Sequence, residues 1–270
     1  MKSPFFAAIL LLLLVSPALL VGQVTINEIR IDQTSTDDDE YFELSGPAGS
    51  SLAGLTYVVI GDGSTGSGTV EAAVSLFGQS IPLTGLFVAA EATFSIGLAD
   101  FTTDLPFENS DNVTHMLIDG FIGAVGDDLD TDDDGNLDST PWASIVDSIA
   151  LLEDPLDPIT GNTSAGELIY SANTIGPDGT FVPAHIVRCP DGSGSWEILP
   201  FADLGLPFDT PGSTNSCPED CDNGADDDGD GDTDCADADC VGDPSCAPPP
   251  VNDDCVDAAN LIEGSYTLTT

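Results

Sequence analysis

Positive charge is almost missing from this chain. Lysine and arginine together number 3, against 48 aspartates and glutamates, for a formal net charge of −45. Past Lys2 the fixed cations are Arg30 and Arg188. Nucleic acids and anionic membrane surfaces are held by basic faces that displace counterions from phosphates, and these residues cannot build one. Both partners are excluded, and other polyanions with them. Histidine is nearly as scarce. His115 and His185 are the only two, and neither sits in a recognisable nucleophile or metalloprotease setting.

Long apolar runs are equally few. Phe5–Val15 follows Lys2 and is broken by Ser16-Pro17. That is the layout of a secretory signal peptide, with cleavage expected after Gly22 and Ala18 as second choice. A membrane span would need about 20 apolar residues. No sustained helical period follows. The glycine-rich stretch 61–68 is followed by neither a lysine nor a helical pattern, so it reads as a flexible loop rather than a phosphate cradle.

What is present is alternation. Val24–Ile31, Tyr41–Leu44, Leu55–Ile60, Val70–Leu76, Leu86–Ala90, Val113–Ile118 and Ile145–Leu152 read as strands. Turn pairs at Asp62-Gly63, Asp119-Gly120 and Asp178-Gly179 punctuate them. The first run places its apolar residues on competing faces and is expected to be buried on both. Short strands with such turns point to an all-β antiparallel sandwich. Its like charges repel one another and oppose compaction, yet 41% of the chain is apolar. Cations from outside are the expected remedy.

Composition changes after Asn215. Residues 217–247 hold almost nothing large and apolar, so they cannot bury a core and need disulfides, metal, or both. Cysteines stand at 189, 217, 221, 235, 240, 246 and 255. In an exported chain these read as disulfides, with Cys255 as the odd one. A zinc site is disfavoured because aspartates crowd the thiols. Pro248–Pro250 reads as a stiff linker. The expected organisation is a signal peptide at 1–22, a sandwich at 23–216, a spacer at 217–247, and the start of a further domain at 248–270. The last strand-like run is cut at Thr270, so the chain is expected to be part of a longer protein.

Two loops carry chemistry. Calcium loops place oxygen ligands at positions 1, 3, 5, 7, 9 and 12 with glycine at 6, so that alternate side chains converge as the backbone curls. In the spacer these positions are Asp226, Asp228, Asp230, Asp232, Asp234 and Asp237, with Gly231 at the turn. Asp at position 12 is shorter than the usual Glu. In the second loop Asp130, Asp132, Asp134, Asn136 and Asp138 hold positions 1, 3, 5, 7 and 9, with Gly135 at 6. Its position 12 is Pro141, so closure is expected from water or a distant carboxylate such as Asp147. All-carboxylate cages favour Ca2+ over Mg2+, which demands a tighter octahedron. Glu28, Glu40 and Glu43 are expected to accept loop backbone bonds rather than form an acid–base pair. Trp142 and Trp196 are expected in the core or at an edge, and would bind sugars only as an exposed pair.

Ile26-Asn27-Glu28-Ile29, Asp39-Glu40-Tyr41-Phe42-Glu43-Leu44 and Leu52-Ala53-Gly54-Leu55 resemble the opening strands of a lamin-tail domain. Thr210–Asn215 resembles the end of its exported bacterial versions. That resemblance, spanning about Val24 to Asn215, implies an immunoglobulin-like sandwich without catalysis of its own. The Cys221–Cys240 segment is similar to the calcium-binding type 3 repeats of thrombospondins, in one copy. Asn252–Cys255 resembles the start of another extracellular β-domain. Together these imply a secreted or surface-displayed adhesion or scaffolding module with a calcium-stiffened spacer, whose partner is an extracellular protein or glycan. The rivals are an enzyme with its catalytic domain beyond residue 270 and a carbohydrate-binding module.

Overall fold

A computed structural model describes residues 23–63, 66–155, 168–202, 204–217, 219, 221–224, 232–237 and 240–246. The expected signal peptide, the end of the chain with Cys255, and Asp226, Asp228 and Asp230 lie outside these residues. The strands are β1 (Thr25–Arg30), β2 (Tyr41–Ser45), β3 (Leu55–Gly63), β4 (Gly66–Ser75), β5 (Leu86–Ala90), β6 (Phe101–Thr102), β7 (Val113–Asp119), β8 (Ser144–Leu151), β9 (Thr174–Ile175), β10 (His185–Cys189) and β11 (Ser195–Ile198). One sheet runs β11-β10-β1-β2-β5-β6 and the other β4-β3-β7-β8-β9. Pairing is antiparallel except for the short parallel edges β5–β6 and β8–β9.

The core lies between the sheets. Ile29, Phe42, Leu44 and Phe87 of the first sheet pack on Tyr57, Val59, Leu117 and Ile149 of the second. The rings of Phe42 and Tyr57 stack at 3.8 Å with 4° between planes. The competing faces of the first run are reconciled by a bulge in β1. Register shifts between Ile26 and Glu28, and the extra residue Asn27 brings Ile26 onto the side of Ile29. All of Ile26, Ile29 and Ile31 then reach the core.

Both outer faces are covered as well, which is why β1, β2 and β5 are buried almost throughout. On the second sheet, Val58, Ile60, Val70, Met116 and Ile118 pack on Leu129, with Phe121, Leu137, Trp142 and Tyr170 around them. The covering segment is the acidic loop between β7 and β8. On the first sheet, Tyr41, Val88 and Ala90 lie under Phe94 and Ile96, and a strap at 205–215 covers the rest through polar contacts.

The glycine-rich stretch is not a free loop. Its described residues pair as the end of the β3–β4 hairpin, with Gly61 opposite Thr69, Asp62 opposite Ser67 and Gly63 opposite Gly66. Glycine is depleted in strands for want of side-chain packing, which hid this pairing in the sequence. Here close approach accounts for it. A Cβ on Gly68 (φ +86°) would stand 2.6 Å from Cβ of Asp130, and one on Gly66 would strike the Asp133 carboxylate.

Three disulfides join Cys189–Cys217, Cys221–Cys240 and Cys235–Cys246. The first ties the end of the strap to β10, and the other two interleave. Six of the cysteines are thereby committed to disulfide bonds and not to a thiolate zinc site. Such bonds indicate an oxidising environment. No helix among the described residues is long and apolar enough to cross a membrane.

Candidate metal centre

The acidic loop is zipped to the edge of β4. Val70 donates to Asp127 O at 2.9 Å, Gly126 to Val70 O at 2.8 Å, and Leu129 to Gly68 O at 3.0 Å. Leu129, 2% exposed, then drops into the small core beneath. This anchor makes the next residue, Asp130, fully buried. Its carboxylate accepts the amides of Asp134 (3.2 Å) and Gly135 (2.9 Å) and the Tyr170 hydroxyl (2.9 Å). The first position of the expected loop is therefore pinned by the amides of positions 5 and 6. Gly135 has φ +84° and Asp133 φ +51°, so the chain curls sharply here.

That curl converges three of the expected ligands. One carboxylate oxygen each from Asp130, Asp132 and Asp138 lie within 4.8 Å of one another. Asp138 also accepts the Thr131 amide at 3.0 Å. Asp134 accepts both the amide and the side-chain nitrogen of Asn136, at 2.8 and 3.0 Å, which fixes the rim. The repulsion is visible in Asp132, whose pKa is raised above the usual carboxylate value by Asp134 first, then by burial and by Asp138. Burial and then the bond to Asp130 push the Tyr170 phenol well up. Tyr170 was not legible as a site residue, because it lies far along the chain beyond β8.

Asp147 does not close this loop. It chelates Arg188 through both oxygens at 3.0 Å and accepts the Ile26 amide at 2.9 Å, bridging the two sheets. A carboxylate on β8 that faces the interior finds the one nearby cation instead. Arg188 also stacks 4.5 Å over the Trp196 ring. Trp142 packs near Phe121 with centroids 6.5 Å apart. Both tryptophans are thus half-buried and used in packing, and no exposed pair is formed.

The spacer is described only in part. Asp234 accepts the Gly224 amide at 2.9 Å and donates its own amide to Glu219 at 2.8 Å. Asp237 is buried at 3% exposure. Asp232 is exposed. The arrangement of the full set of expected ligands therefore lies outside the described residues.

A second carboxylate cluster was missed by the sequence. Glu28, His185 and Asp209 converge within 4.8 Å, all fully buried under the strap. Arg30 binds Asp209 through Nε and Nη2, and Nη2 also faces His185 Nδ1 at 3.2 Å. Guanidinium nitrogens only donate, so Nδ1 accepts and the proton sits on Nε2, which donates to Glu28 at 2.8 Å. Glu28 further accepts the Tyr41 hydroxyl (2.5 Å) and the Thr210 amide (3.2 Å). Glu43 accepts Gly212 N at 2.6 Å and Asn27 Nδ2 at 2.8 Å. Burial, then Glu28, pushes its pKa up to about 9. Glu40 is likewise pushed up to about 9, by burial and then Glu91. All three glutamates receive backbone bonds, Glu40 from Phe107. The members of the cluster bond one another and are fully buried.

The Asn27-Glu28 stretch of β1 and the Thr210–Asn215 segment, from opposite ends of the sandwich, are thus each other's partners. Asn215 completes the contact by donating to Arg188 O at 2.9 Å. Comparison with protein-family models, with curated proteins and with solved structures finds no match for this chain.

Proposed function

We propose that this chain is a non-catalytic extracellular module for adhesion or scaffolding, rigidified by Ca2+. The carrying observation is the convergence of Asp130, Asp132 and Asp138 in a chain whose described arginines already serve Asp209 and Asp147. Hard carboxylate oxygens in a loop with room for backbone and water oxygens suit calcium. The ion would neutralise the cluster and lock the loop onto β4, so that binding contributes to folding. Asp226–Asp237 of the spacer would do the same between domains, turning a self-repelling segment into a fixed joint. The likeness of the segments around Ile26–Leu55 and Thr210–Asn215 to a lamin-tail domain, together with the signal peptide expected at 1–22, supports secretion or surface display. The buried, fully bonded state of the Glu28–His185–Asp209 cluster supports a structural role for the one histidine–carboxylate group found.

Terbium tests the site directly, because Tyr170 and Trp142 border the loop and would sensitise its luminescence. The full oxidised chain should show saturable emission displaced by calcium, and Asp130→Asn plus Asp132→Asn should remove that component. Emission unchanged in the double variant rules out the loop as the site.

A further inference from the structure

We infer that the notch where β1 and β11 end and β10 begins receives one basic side chain, arginine or lysine, from a cationic protein segment. The notch is a cavity of about 230 Å³ lined by Asp32, Asp178, Phe181, Val182, Ala184 and Phe201. Strand pairing builds it. The Ile31 amide bonds Ala184 O at 2.8 Å, which sets Asp32 beside the start of β10. Leu199 bonds His185 O at 3.0 Å and leads the chain from β11 to Phe201. Asp178 and Phe181 exchange backbone bonds of 2.9 and 3.2 Å around Gly179 (φ +68°), so this wall is a fixed turn.

The lining dictates the guest. Val182 and Ala184, each 4% exposed, form an apolar floor, while Phe181 remains 69% and Phe201 39% exposed. Large aromatics held out to water on a rigid turn are available for contact. The polar side chains in the lining are two carboxylates. Asp32 already meets the Gln33 amide at 2.6 Å, Asp37 and Asn109, so the exposed Asp178 is the acceptor offered at the rim, and it calls for a donor. Arginine offers five donors and no acceptor, and its plane stacks on aromatic rings. Lysine brings an apolar stem and an ammonium. The volume lies below the roughly 300–1,000 Å³ of small-molecule pockets, in keeping with a single side chain. A chain of net charge −45 also draws cationic partners by steering.

The test is an NMR titration of the full oxidised chain, carrying labelled phenylalanine, with the blocked tripeptide Gly-Arg-Gly. Saturable shifts confined to the Phe181 and Phe201 rings are expected, with none from Gly-Gln-Gly. Phe181→Ala and Asp178→Asn, both at exposed positions, should each weaken binding at least fivefold. Asp104→Asn removes an equal charge elsewhere and should leave binding unchanged. Shifts spread over all phenylalanines, equal weakening by Asp104→Asn, or saturable shifts with N-acetylglucosamine and none with the arginine peptide would each overturn the assignment. Running the titration with calcium and with chelator separates this result from the fate of the calcium reading, which rests on other residues.

Discussion

The two sheets solve one problem in opposite ways. Each buries carboxylates beneath a segment laid over its outer face. On the first sheet the strap sets Asp209 against Arg30, a cation of the chain's own, while Glu28 takes the His185, Tyr41 and Thr210 donors and Glu43 those of Gly212 and Asn27. On the second sheet Asp130 is buried with only neutral donors, and Asp132 and Asp138 stand beside it. With so few cations in the sequence, Asp209 has a counter-ion from the chain itself and Asp130 has none among its bonded partners, and on the proposed reading an ion from solution takes that place. Stability under the strap should therefore ignore calcium, whereas stability around Asp130 should depend on it.

The largest expected effect breaks the internal side. Arg30→Met strands Asp209 in a buried site, and such a loss costs about 3–5 kcal/mol. Denaturant melts should show it with or without chelator. Withdrawing calcium is next. A ligand at 100 times its dissociation constant stabilises by about 2.7 kcal/mol, so chelator should lower the midpoint of the native chain. Asp130→Asn should shrink that difference while leaving the Arg30 effect intact.

A pH series sharpens the contrast further. Glu43 and Glu40 ionise near 4.5 when unfolded and near about 9 when folded. Between those values the folded state binds more protons, so their contribution is fully present below pH 4.5 and lost as pH rises towards 9. In chelator, stability should fall from pH 5 to pH 9, and Glu43→Gln should flatten part of the slope. An unchanged slope in that variant would mean Glu43 is already ionised in the fold. The smallest effect is Tyr170→Phe, which removes one of three donors to Asp130 and should cost about 1 kcal/mol. Double-variant melts with Asp130→Asn would show whether the two losses are coupled.

The sequence carried the strands wherever apolar residues alternate. Tyr41–Leu44, Leu86–Ala90 and Val113–Ile118 all fall within observed strands. It failed where packing is supplied from elsewhere. The stretch 61–68 reads as loose because glycine has no side chain, yet its described residues pair in the hairpin and Gly68 and Gly66 make room for Asp130 and Asp133. β10 is five residues of mixed polarity whose His185 faces a buried network, and nothing local announces that partner. The convergence of Asp130, Asp132 and Asp138 was legible because the three lie in one contiguous loop, whereas Asp134 and Asn136 bond each other at its rim. Tyr170, Asp209 and the engagement of Asp147 with Arg188 were not, since each depends on a contact between residues more than thirty positions apart.

Calorimetric titration of the oxidised chain with calcium, set beside the Asp130→Asn, Asp132→Asn variant, tests the central claim most directly. The prediction is specific uptake by the native chain, with the component belonging to this loop absent from the variant. Identical isotherms for the two proteins would contradict it.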